Sequence, residues 1–259
     1  GIWKYYNEDA TQYSTIDNIS EKEYTITKYY TNGQKRSYEH IKDGLTIDNY
    51  LQYYSNGVLE QKLPIKENHI DGEFAIYYDN GQVRRSNKMV KGKIADGEEI
   101  YYHPNGVILS KGTNKNDKAE GEYTEYYEDG KIKFTRIYKD GKANGPAKEY
   151  FRNGKVSEEY TYVDDKYDGV YKSYYDNGVL EREAKYVKGE SIGKTKLYDF
   201  DGKLFAEYLD GKNKIKSATY YDKAGKVIYT VDAQKNELDL KKYNALGIVI
   251  EEGKVKKDF

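Results

Sequence analysis

The sequence has no cysteine, which excludes disulfides and thiolate zinc sites and leaves the redox compartment unmarked. It has no dominant charge either. With 43 Lys and Arg against 44 Asp and Glu, no one-signed field draws in nucleic acid or an anionic bilayer. No apolar run approaches the ~20 residues of a membrane-spanning helix, and no signal-peptide pattern is present. The chain starts at Gly1 rather than Met and enters a repeat at once through Ile2-Trp3-Lys4-Tyr5-Tyr6. A removed upstream segment is therefore expected, either a cleaved export signal or trimmed sequence. Leu, Ile, Val and Phe are scarce, too few to fill a thick aliphatic core.

In their place stand 32 tyrosines. A disordered chain shares low aliphatic content and high charge but is poor in aromatics, so these rings argue for order. The tyrosines recur. Aligned on a tyrosine four residues before a turn glycine, they fall at Tyr5, Tyr29, Tyr53, Tyr77, Tyr102, Tyr126, Tyr150, Tyr174, Tyr198, Tyr221 and Tyr243, a beat of about 24 residues. Eight turns read Asn-Gly or Asp-Gly, ending in Gly33, Gly57, Gly81, Gly106, Gly130, Gly154, Gly178 and Gly202. Such pairs favour the two-residue type I′ hairpin, where both positions need positive φ. A second glycine, at Gly72, Gly97, Gly121, Gly145, Gly169 and Gly193, marks a looser connection to the next hairpin.

Period-two alternation assigns faces. Two residues past each turn glycine runs an apolar row of Leu59, Val83, Ile108, Ile132, Val156, Leu180, Leu204, Val227 and Val249, broken only by Lys35. Six residues further come Ile41, Ile65, Met89, Tyr138, Tyr162 and Tyr186, with Asn114 the exception. Strict alternation puts both sets on one face as a single buried ladder. On the opening strand, rings such as Phe74, Tyr123 and Tyr171 face away from the recurrent tyrosine, so both faces carry aromatics. The expected fold is all-β: an elongated single-layer antiparallel sheet of about eleven tandem β-hairpin repeats, a twisted and curved ribbon roughly 100 Å long and about 23 Å wide. We read residues 1–259 as one repeat domain, with an atypical N-terminal unit at 1–23, regular hairpins over 24–231 and an atypical cap over 232–259, where 232–242 lack turn chemistry.

The unit from Gly169 through Tyr174-Tyr175, Asn177-Gly178 and Tyr186 to Gly189 is similar to the bacterial variant of the MORN repeat, the form found in proteins labelled YwqK-family antitoxins. The resemblance runs from about Ile2 to Gly247. It departs at Asn7-Glu8-Asp9, which lacks glycine, and at Tyr221-Asp-Lys-Ala-Gly225, which lacks the Asn-Gly pair. The resemblance implies a hairpin array used as scaffold, dimerisation platform or lipid or protein binder, and implies no particular chemistry.

His40, His69 and His103 occupy unrelated repeat positions, and His103 simply replaces the second tyrosine of its unit. No catalytic residue, cofactor or metal site is assigned. The stretches Asp164–Gly169 and Asp199–Gly202 lack the ligand set of an EF-hand and read as turn residues bonding their own backbone. The working surface is assigned to the tyrosine stripe, Tyr53, Tyr77, Tyr102, Tyr126, Tyr150, Tyr174 and Tyr198, because tyrosine offers ring area and a hydroxyl at little rotamer entropy. Lysines near the connections, such as Lys88, Lys91, Lys93, Lys139 and Lys142, stand beside acids and read as a solvated edge rather than a lipid contact. The leading expectation is an exported, non-catalytic scaffold binding a protein or surface polymer. A cytoplasmic antitoxin and a carbohydrate- or phospholipid-binding surface protein are the alternatives. Oligomeric state is left open.

Overall fold

The computed structural model describes residues 1–211, 215–234, 237–244 and 248–256. Among them every regular element is a strand, and there is no helix. Two compact units divide the chain, Gly1–Gly130 with the first 13 strands and Lys131–Phe259 with the other 13. Within each unit the strands pair antiparallel with their sequence neighbours, as in Glu23–Tyr29 with Lys35–Lys42, or Gly169–Tyr174 with Leu180–Val187. The hairpin series is thus as the tyrosine beat predicts. Gly247, where the resemblance ends, and 235–236, within the stretch expected to lack turn chemistry, lie outside the described residues.

The Asn-Gly turns are not of type I′. Gly33 N–H donates to Tyr30 O at 2.9 Å and Tyr30 N–H to Gln34 O at 2.8 Å. Only Gly33, at φ 83°, has positive φ. This is an unprimed turn followed by a left-handed glycine, the next commonest hairpin loop. Asparagine is therefore not needed for its backbone tolerance but for its side chain. Asn32 Oδ1 accepts from Gln34 N–H at 3.1 Å, and Asn56, Asn80, Asn105, Asn153 and Asn177 repeat that bond.

The primed turns sit at the other end of each hairpin, where a looser connection was expected. Glu67 and Asn68 have φ 49° and 60°, Asn116 and Asp117 52° and 60°, and Asp164 and Asp165 48° and 65°. Each pair is closed by opposed residues, Lys66 with His69, Lys115 with Lys118, Val163 with Lys166. The second glycine lies just beyond, inside the strand. Gly145 has φ 128°, and a Cβ there would stand 3.2 Å from Ile137 Cβ. It serves as a bulge that lets the strand pack closely.

A further bulge changes the face assignment. Tyr174 lies opposite Leu180, but Ser173 lies opposite Arg182, so Glu181 is the extra residue. Ser173 Oγ donates to Glu181 Oε2 at 3.0 Å, which puts Glu181 and Arg182 together on the Ser173 side. The same shift follows the turn in repeat after repeat, for instance at Tyr53 and Tyr77. Leu180 consequently faces the tyrosine stripe while Tyr186 points to the opposite side. The single ladder is corrected: its first row lies with the stripe, and Ile41, Ile65, Met89, Tyr138, Tyr162 and Tyr186 lie on the other face. None of the first row is buried, and Ile132 and Val249 are exposed at 41% and 40%.

In each unit the buried residues share one face, opposite the stripe. The first unit contributes Ser14, Ser37, Phe74, Ser110 and Asn114, and the second Tyr160, Ser173, Thr195 and a run of alanines from Ala143 to Ala218. Small residues lie between rings. Tyr160 stacks on Tyr171 at 6.0 Å and Tyr162 on Tyr167 at 5.0 Å, while Tyr160 meets Tyr167 edge-on at 5.0 Å. Such pairs add about 0.5–1.5 kcal/mol each beyond area burial. Here tyrosine does the packing that aliphatic side chains do in ordinary sheets.

The first repeat slips by one. Tyr5 is opposite Ser14 and Tyr6 opposite Gln12, with the register shift between them, so Tyr6, not Tyr5, occupies the stripe position. Ala10, at φ 65°, stands where the other turns have glycine.

Candidate functional site

The stripe tyrosines end their opening strands, and all seven, Tyr53, Tyr77, Tyr102, Tyr126, Tyr150, Tyr174 and Tyr198, are half-buried. In the pairings described, each lies opposite an aliphatic: Tyr53 with Leu59, Tyr77 with Val83 and Tyr102 with Ile108 in the first unit, Tyr150 with Val156, Tyr174 with Leu180 and Tyr198 with Leu204 in the second. Each unit thus carries a mixed row of rings and aliphatic side chains on the face away from its buried residues.

Hydroxyls and charges border this row. Tyr174 Oη donates to Glu159 Oε1 at 2.6 Å and Tyr221 Oη to Glu207 Oε2 at 2.9 Å. Burial, then the bond to Glu159, raises the Tyr174 phenol to about 12. Glu159 stands between Lys148 at 4.0 Å and Lys172 at 3.7 Å, and Glu207 meets Lys194 at 3.2 Å. Exposed pairs of this kind contribute little stability and set a polar rim.

The stripe carbonyls have a second use. In four repeats the phenol after the stripe position donates to the next stripe carbonyl: Tyr30 to Tyr53 O, Tyr54 to Tyr77 O, Tyr78 to Tyr102 O and Tyr175 to Tyr198 O, each at 2.8 Å. His103, in the same place, reaches Tyr126 O through Nε2 at 3.0 Å. The turn asparagines do likewise with their Nδ2, as in Asn32 to Ser55 O at 2.7 Å and Asn153 to Asp176 O at 2.9 Å. A third clamp escaped sequence reasoning. Asp71, Asp96 and Asp168 accept from the N–H of Lys91, Asn116 and Lys188 in the next repeat, at 3.3, 2.7 and 3.1 Å. An aspartate directly before the strand glycine is the signal that marks them.

The three histidines stay apart. His40 lies between Glu23 and Asp48 at 3.1 and 2.9 Å, and His69 Nδ1 contacts Glu67 O at 2.8 Å. The aspartates of the two calcium-like stretches bond backbone: Asp165 Oδ1 accepts from Ala143 N–H at 2.7 Å, in the preceding repeat rather than its own, whereas Asp199 Oδ1 accepts from Asp201 and Lys203 in its own turn. Among the described residues no group of three or more His, Asp or Glu side chains is placed to hold a metal ion.

Five segments match the MORN repeat variant. They are residues 49–67, 95–116, 119–140, 143–164 and 167–188. Each matched segment therefore takes in one opening strand, one Asn-Gly or Asp-Gly turn and one return strand, and holds a stripe position and a clamp position, with tyrosines of the buried face such as Tyr160 and Tyr171 beside them. No curated protein matches the sequence. Among solved structures the chain is similar to a chain of the Photorhabdus luminescens Tc holotoxin pore with a mutated TccC3, at 10% identity over 98% of this chain and 15% of that one, TM-score 0.21. A TcdB2–TccC3 structure gives 11% identity, the same coverage and a TM-score of 0.22. A porin-like protein from Bacteroides uniformis gives 9% identity over 92% of both chains, TM-score 0.19. The chain spans about 15% of the length of the toxin chains it matches. Likeness this loose carries nothing about what this chain binds.

Proposed function

We propose that this chain is a non-catalytic repeat scaffold that binds another protein through the row of stripe tyrosines and their aliphatic partners. One observation carries the reading. The buried residues of each unit lie on the opposite face, so the row from Tyr53 to Tyr102, and that from Tyr150 to Tyr198, is not the core and keeps ring area half-exposed at every repeat. Half-exposed tyrosine beside an aliphatic, with a Lys and Glu rim, is the composition of a protein-binding surface. Repetition multiplies weak contacts, so several repeats engaging one partner bind far more tightly than one.

The test is cross-linking in the source cell with the wild-type chain and with Tyr150, Tyr174 and Tyr198 replaced together by Ser. The circular dichroism spectrum and melting profile establish that the variant folds. Loss of a reproducible cross-linked partner supports the reading, and a folded variant that keeps the same partner at the same yield overturns it.

A further inference from the structure

On the other face of the second unit a cleft of about 340 Å³ has Glu158, Tyr171, Tyr175, Glu181, Arg182 and Phe205 among its lining residues. The bulges described above build it, because they add Glu181 and Phe205 to a face where strict alternation would place neither. We propose that this cleft is a binding site for an organic cation of the guanidinium type.

The charges around the cleft are unequal in what they have left to offer. Arg182, its one cation, is held against neutral groups, its guanidinium 5.5 Å over the Tyr171 ring and Nη2 donating to Tyr186 Oη at 3.3 Å, so its charge offsets one of the two carboxylates and leaves the other in excess. Glu181 receives one hydrogen bond, from Ser173, and keeps its second oxygen at the cleft. Glu158 is crowded. Burial first, then the fields of Glu149 and Glu181, push it above the usual carboxylate range, against a hydrogen bond from Tyr171 and the pull of Arg182. An anionic ligand would deepen that repulsion and a neutral one would leave it in place, whereas a cation relieves it. The walls narrow the choice further. Tyr175 and Phe205 present ring surface, which favours a planar, weakly hydrated guanidinium over a strongly hydrated ammonium.

Two sources carry that group, an arginine side chain of a protein and a free alkylguanidinium, and probes of both kinds separate them. The experiment is an NMR titration of the full chain with a doubly capped arginine amide, with butylguanidinium, and with the citrulline amide as neutral isostere. Binding of at least one guanidinium probe is expected with Kd on the order of 1 mM, with shifts confined to residues around Glu158 and Glu181. Glu158→Gln with Glu181→Gln weakens it about tenfold or more. Tighter binding of the capped amide identifies a protein source, and tighter binding of butylguanidinium a free one. The proposal is overturned if citrulline amide binds as well as the arginine amide, or if neither guanidinium probe shifts the cleft resonances. Should the double variant unfold, the citrulline comparison on wild-type chain still decides. Because the stripe lies on the opposite face, the Tyr150, Tyr174 and Tyr198 triple variant keeps guanidinium binding, so the two readings stand or fall separately.

Discussion

The turns from Tyr30 to Val179 and those at Asp199–Lys203 and Asp222–Lys226 have the same backbone bonds but are held differently. In the first group the asparagine, at every turn but the one with Asp129, fixes its own turn with Oδ1 and reaches the next repeat with Nδ2, while Tyr30, Tyr54, Tyr78, His103 and Tyr175 clamp the next stripe carbonyl. In the second group Asp199 and Asp222 stand where the clamping phenol would be, and each carboxylate accepts from two N–H groups of its own turn, at 2.8–3.0 Å. A carboxylate cannot donate to a carbonyl at neutral pH. Holding a turn and coupling one repeat to the next are thus separable tasks, done by one residue in the regular repeats and reduced to the first task in the later ones.

Removing both clamps from one regular turn breaks the comparison most sharply. Tyr175→Phe with Asn177→Ala deletes two inter-repeat hydrogen bonds and the Oδ1 bond of the turn, and should cost about 2–3 kcal/mol. Hydrogen exchange is the readout, with protection falling in Glu190–Gly211 as well as at the turn. Next comes Ala10→Gly, which relieves a left-handed non-glycine residue and should stabilise the first unit by about 1–2 kcal/mol in urea unfolding. Installing the clamps in the later region, by Asp199→Tyr with Asp201→Asn, should add about 1 kcal/mol once the lost Asp199 caps are set against the gains. Phe151 already stands at a clamp position without a hydroxyl, so Phe151→Tyr should gain at most about 1 kcal/mol through Tyr174 O.

The smallest effect is a pH dependence. A raised Glu158 contributes stability that is full below the unfolded carboxylate value and declines as pH rises through its folded value. Glu158→Gln should therefore melt higher than wild type at neutral pH, with the gap closing on acidification. A gap that widens in acid would show that Glu158 is instead favoured in its ionised form.

The repeat beat, the hairpins and the stripe positions were legible because tyrosine and glycine recur at fixed spacing, and His103 is found doing the work of the tyrosine it replaces. What was not legible has a common physical cause. Asn-Gly satisfies two turn geometries, and only the φ of asparagine distinguishes them. A bulge inserts one residue without leaving a mark in composition, and after it every later side chain changes face, which separated Leu180 from Tyr186 and hid the cleft. In the first repeat Ala10 removed the glycine on which the alignment rested, so Tyr5 was taken for Tyr6.

The doubly bonded asparagines also govern how this chain ages. An Asn-Gly sequence loses ammonia when the glycine nitrogen attacks the side-chain amide carbon, and water then opens the ring to an acid. At Asn32, Asn56, Asn80, Asn105, Asn153 and Asn177 that nitrogen is tied to a carbonyl and both amide atoms are held. Folded repeats are shielded from this chemistry, whereas a repeat that opens exchanges a donor for a negative charge and closes less well thereafter. Wear in such an array is self-propagating, and it starts wherever a hairpin first lets go.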